Sequence, residues 1–179
     1  MVFDRLIKLF GGKRKVATPG PETKAPEFTL NALDGKKYSL PTALARGPVL
    51  VAFFKESCPV CQFTFPFIER IFQGVNSQRG IQIWAVSQDD ARDTSDFAKE
   101  YGVRFPILLD EAGYPVSNAY GLTTVPTLFL IEPDGKIALT SVGFDKRDIE
   151  TIAARLGERA GKSVVPFRPG ENIPDSKAG

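Results

Sequence analysis

No histidine occurs in the 179-residue sequence. Ser-His-Asp and Cys-His catalysis are thereby excluded, along with the commonest transition-metal ligand. Only two cysteines are present, too few to close a zinc site or to build the spaced pairs of a secreted disulfide framework. No metal site is expected. Charge of one sign is also missing: 23 basic and 21 acidic residues leave a net charge of +2, so no global field favours nucleic acid. No stretch approaches the roughly 18 consecutive apolar residues needed to span a bilayer. Asp4, Arg5 and Lys8 interrupt the apolar residues where a signal-peptide core would lie, and the expectation is a cytoplasmic protein.

What is present is concentrated. The two cysteines stand three positions apart in Cys58-Pro59-Val60-Cys61, shortly after the apolar run Pro48-Val49-Leu50-Val51-Ala52-Phe53-Phe54. A dithiol between a buried strand and a helix N-terminus can cycle between two thiols and one disulfide, its attacking sulfur favoured as thiolate by the helix end. Redox exchange is the leading reading, and the working group is then the Cys58-Cys61 disulfide itself, with no added cofactor.

Around this motif the pattern is α/β. Phe3, Leu6, Ile7 and Phe10 share one helical face and precede Lys13, Arg14 and Lys15, which suits either a weak peripheral membrane contact through residues 3–15 or a helix packed on the domain. Residues 1–24 are read as this amphipathic segment plus a linker. Asp34-Gly35 marks the turn of an N-terminal hairpin, residues 49–54 form a strand covered on both faces, and residues 59–74 form a helix with a kink expected at Pro66. Strands near 81–86, 105–109, 126–131 and 136–142 alternate with helices near 93–101, 112–120 and 145–159. Residues 25–161 make the folded domain. Residues 162–179, rich in proline and charge, are read as a flexible C-terminal tail.

Three segments together resemble the thioredoxin superfamily, in particular its TlpA/ResA-like and AhpC/TSA-like redoxins. They are Phe53-Phe54-Lys55-Glu56-Ser57-Cys58-Pro59-Val60-Cys61, Tyr101-Gly102-Val103-Arg104-Phe105-Pro106-Ile107-Leu108-Leu109-Asp110, and Thr124-Val125-Pro126-Thr127-Leu128-Phe129-Leu130-Ile131 followed by Pro133-Asp134-Gly135-Lys136. The resemblance implies a thioredoxin fold, with a central mixed β-sheet flanked by helices and an N-terminal β-hairpin extension. It implies a thiol-disulfide oxidoreductase in cell redox homeostasis, acting on protein or small-molecule thiols and disulfides and recharged by an upstream dithiol reductant. A cis Val125-Pro126 bond is implied beside the dithiol, so that Thr124, Val125 and Pro126 shape a substrate groove. Cys58, at the helix start, is the expected nucleophile and Cys61 the buried resolving thiol. Pro59 fits the first helical turn, Val60 adds neither charge nor hydrogen bond, and Lys55 and Glu56 either tune Cys58 or are solvated loop charges.

Departures from the family bear on the reaction. Ser57 replaces the common tryptophan, while Ala52 and Thr64 occupy positions where relatives carry a proton-accepting acid. The peroxiredoxin pattern Pro-x-x-x-Thr-x-x-Cys fails, because reading back from Cys58 finds Val51 and Lys55, and from Cys61 finds Phe54 and Cys58. A thiol peroxidase or antioxidant is thus the weaker enzyme alternative. A non-catalytic binding module, docking a partner through the groove around Pro126 and an exposed Phe-rich surface near Phe63, Phe65 and Phe67, is the third.

Overall fold

The structure, a computed structural model, describes residues 16–76 and 78–179. The expected helix and membrane contact over residues 3–15 lie outside the described residues. Thr29–Asn31 (β1) and Lys37–Ser39 (β2) pair as the antiparallel hairpin, and Leu40–Leu44 (α1) follows directly. Asp34 fixes the turn by accepting from the Lys36 N–H and the Tyr38 hydroxyl. Val49–Phe54 (β3) is buried at every position.

The chain then alternates helix and strand through Pro59–Val75 (α2), Gln82–Ser87 (β4), Ala91–Glu100 (α3), Ile107–Leu109 (β5), Pro115–Ala119 (α4), Thr127–Ile131 (β6) and Ile137–Val142 (β7). The short strand Phe144–Asp145 (β8) leads into Lys146–Ala160 (α5), and Ser176–Lys177 forms β9. The central sheet has the order β5-β4-β3-β6-β7. β3 runs parallel to β4 and antiparallel to β6, which makes the sheet mixed.

Alternation along β3 divides the core. Leu50, Ala52 and Phe54 pack with α2, α3 and α5, whereas Val49, Val51 and Phe53 pack with the hairpin, α1 and Trp84. A period of two, read on a strand covered on both sides, accounts for an unbroken apolar run. Helix ends follow side-chain chemistry: Asp90 and Asp145 accept from the N–H groups of Asp93 and Asp148, and Gly161 ends α5 at a positive φ of 70°. α2 continues through Pro66 without a break.

Two expectations at the chain ends are corrected. Residues 162–179 are not a flexible tail but a packed return: Pro166 is buried, and Val164, Phe167 and Ile173 lie against the core. Arg70 grips the Glu171 carboxylate through two hydrogen bonds of 2.8 and 2.7 Å and also donates to the Pro166 carbonyl. That guanidinium holds the Glu171 carboxyl down at about 2. Composition averages over these few anchors, and the anchors decide. The supposed linker is likewise tied down from Thr18 onward. Glu22 donates to the Ile137 carbonyl, the Ile137 N–H to the Thr23 carbonyl, and Thr18 Oγ1 to Gly121. The packed unit therefore reaches beyond both limits of 25–161.

Candidate active site

The end of β3 and the start of α2 set the geometry. Three loop residues, Lys55 to Ser57, carry the chain from a rigid buried strand to Cys58, which is the N-cap of α2. Pro59 occupies the first helical turn, where its missing N–H costs no hydrogen bond. The Cys61 N–H points back at Cys58 Sγ across 3.3 Å, and Cys58 Sγ stands 3.4 Å from the Val125 carbonyl oxygen. The two sulfurs are not bonded to each other. Cys58 is half-buried beside an exposed Ser57, and Cys61 is 0% exposed.

The Val125-Pro126 peptide bond is cis, as the resemblance implied. The Pro126 carbonyl accepts from the Gly143 N–H at 2.8 Å, and Thr127 Oγ1 donates to the Thr124 carbonyl at 2.8 Å. These bonds hold Thr124, Val125 and Pro126 beside Cys58. A hollow of about 260 Å³ opens next to them, lined by Lys55, Gln88, Leu122, Thr123, Thr124 and Val125.

The flanking residues separate in role. Lys55 Nζ sits 5.9 Å over the Tyr114 ring. Glu56 contributes its backbone: its N–H donates to Asp89 Oδ2 at 2.6 Å and its carbonyl accepts from Gln62 Nε2 at 2.9 Å. Among the described residues neither side chain is hydrogen-bonded to a cysteine sulfur. Val60 is half-buried, and its carbonyl accepts from Thr64 Oγ1. Ala52 and Thr64 are wholly buried, so neither position offers a carboxylate to the dithiol.

Asp89 escaped the sequence reading. It lies two residues beyond β4 and 33 positions from Glu56, and only the register of two parallel strands, with Phe54 opposite Ser87, brings them together. The Asp89 N–H in turn donates to Ser87 Oγ, which is hydrogen-bonded to Thr94 Oγ1 at 2.7 Å. An acid following a strand parallel to the motif strand was the available signal. Asp89 therefore pins the active loop.

Burial pushes the Cys61 thiol well above its ordinary value of 9.0, Cys58 adds to that as a hydrogen-bond neighbour, and the charge of Asp89 raises it further. Folded, reduced protein thus keeps a proton that the unfolded chain would release in the alkaline range, and its stability falls as pH rises past that ordinary value. Iodoacetamide on the native protein at pH 8 is expected to leave Cys61 unmodified; mass spectrometry showing Cys61 labelled before unfolding would contradict this. Asp89→Asn in a Cys58→Ser background should move the pH profile of Cys61 alkylation downward, since it removes a charge that opposes ionisation.

Fold and site together define a thioredoxin-fold redoxin with an unpaired Cys-x-x-Cys dithiol at the head of a helix. The AhpC/TSA family model matches residues 21–140, and the chain belongs to that family. Thiol-disulfide oxidoreductase ResA of Bacillus subtilis is 32% identical over 136 residues, 75% of this chain and 73% of that one. ResA of Geobacillus thermodenitrificans is 31% identical over 128 residues, 70% and 72% of the two chains. Among solved structures, a thiol:disulfide interchange protein from Chlorobium tepidum matches with a TM-score of 0.64 and 27% identity, over 76% of this chain and 97% of that one. The thioredoxin domain of a thiol-disulfide oxidoreductase from Bacteroides vulgatus matches in fold with a TM-score of 0.66, at 22% identity over 76% and 97%. The chain is a thiol-disulfide oxidoreductase.

Proposed function

We propose that Cys58 is the attacking sulfur and Cys61 the resolving one, and that the groove at Val125 and Pro126 presents the substrate disulfide. One observation carries the assignment: Cys58 Sγ sits at the helix N-terminus facing both the Cys61 N–H and the Val125 carbonyl, while Cys61 is wholly buried behind it. The Cys58 thiolate attacks one sulfur of the substrate; the other leaves as a thiolate and takes up a proton. Cys61 then gives up its proton and attacks Cys58 Sγ. The Cys58-Cys61 bond closes as the second substrate sulfur departs as a thiolate, so two electrons pass to the substrate, with one proton from Cys61 and the other from solvent.

An external dithiol reverses the change on the enzyme. The exposed position of Ser57, where a tryptophan is common, leaves Cys58 open to such partners. The same proposal has the pair working as a reductant in the cytoplasm. Equilibration with glutathione measures its potential, and a strongly oxidising value would overturn that direction. The direct test of exchange is reduction of bis(2-hydroxyethyl) disulfide by dithiothreitol, which the protein should accelerate. A rate equal to that of dithiothreitol alone would refute the proposal.

The Phe-rich part of the surface in the binding-module alternative is largely packed away. Phe65 and Phe67 are 0% and 6% exposed, and Phe63 is packed against Phe67 and Phe144 at ring separations of 5.3 and 4.9 Å.

A further inference from the structure

We propose that residues 175–179 form a strap that closes one side of the groove and selects against extended polypeptide disulfides. This rests on the reading of Val125 as the substrate edge. β9 pairs with β8, with Lys177 opposite Phe144 and Ser176 opposite Asp145, and the Lys146 N–H donates to the Asp175 carbonyl at 2.9 Å. Lys177 Nζ lies 4.9 Å over the Phe63 ring. Gly179 packs on the groove itself: a β-carbon there would run into the Val125 carbonyl oxygen and come within 2.7 Å of Thr124 Cγ2.

Gly143 joins the two structures. Its φ of 73° suits glycine, its bare α-carbon leaves room for the Lys177 carbonyl and the Gly179 nitrogen, and its N–H holds the Pro126 carbonyl. Upstream, the Arg70–Glu171 pair and the Phe67–Phe167 contact, at 4.9 Å between ring centres, fix where the strap begins. The strap is thus a built part of the fold that borders the reacting sulfur.

The groove has a second side. The hollow bounded by Lys55, Gln88 and Leu122 meets the strap's end at Thr124 and Val125. An extended segment that adds to the Val125 edge by main-chain pairing needs room along that edge, and the strap already occupies part of it. The hollow is walled by Val125, whose carbonyl oxygen lies 3.4 Å from Cys58 Sγ, and in this proposal a small disulfide approaches Cys58 from that side. Lys177, Gly179 and Gly143 are therefore specificity-determining positions for the exchange reaction.

Two variants test this, one lacking residues 175–179 and the full-length Gly179→Val, whose side chain forces the strap away from Val125. Rates with insulin and with bis(2-hydroxyethyl) disulfide are compared under dithiothreitol. The insulin rate relative to the small-disulfide rate should rise about tenfold in both variants. A ratio within about twofold of wild type in Gly179→Val, with circular dichroism unchanged, would overturn the strap's role. Failure of the wild-type protein to turn over the small disulfide would instead strike the exchange reading, so the two failures are told apart. Should the shortened chain not fold, Gly179→Val decides.

Discussion

Replacing Cys58 by serine is expected to return the reduction of bis(2-hydroxyethyl) disulfide to the rate of dithiothreitol alone, while Cys61→Ser leaves the first step and blocks the second. A serine hydroxyl at position 58 would keep the N-cap contact but cannot form a disulfide, so no electrons pass. In Cys61→Ser the mixed disulfide on Cys58 forms and has no internal thiol to displace it. The adduct should accumulate, visible by mass spectrometry as the protein plus one substrate half. Burial makes the asymmetry sharp, because Cys61 at 0% exposure cannot be reached by an external disulfide in place of Cys58. Accumulation of the adduct on Cys61 in Cys58→Ser would reverse the assigned roles.

Phe54→Ala is expected to cost about 3–5 kcal/mol of folding stability, the range for emptying a large aromatic site in a packed core. Phe54 is wholly buried at the end of β3, with ring centres 4.6 Å from Phe65 on α2 and 4.7 Å from Phe97 on α3. It ties three elements at the point where the chain leaves the sheet for the dithiol. Phe54→Leu, which retains more of the volume, should cost distinctly less. Urea unfolding followed by circular dichroism gives both values. A loss below about 1 kcal/mol for the alanine variant would show that the site collapses around the gap.

The dithiol and its strand were legible because their signals are local. Six consecutive apolar residues, then Cys-Pro-Val-Cys, then helical periodicity lie within one stretch, and Val-Pro-Thr supplied the opposing wall. Features that depend on distant pairing were not legible. Asp89 reaches Glu56 only through the register of β3 and β4. The segment around Thr23 looked like a linker because its proline, glycine and charge content says nothing about main-chain bonds to Ile137. Residues 162–179 were misread for the same reason: Pro166, Phe167 and Ile173 are a minority among polar neighbours, yet Phe167 and Ile173 pack on the core and Pro166 is buried. Average composition describes exposure to water poorly when a few side chains and one bidentate arginine set the path.

The sheet that separates the two halves of the core also separates the chain's single tryptophan from its chemistry. Trp84 is 2% exposed in the layer with Phe28 and Tyr38, and Cys61 belongs to the opposite layer. A protein whose indole adjoined the dithiol would brighten or dim with each turnover. Here the indole lies across the sheet from Cys61 and against the hairpin, so tryptophan emission is expected to stay constant through the catalytic cycle.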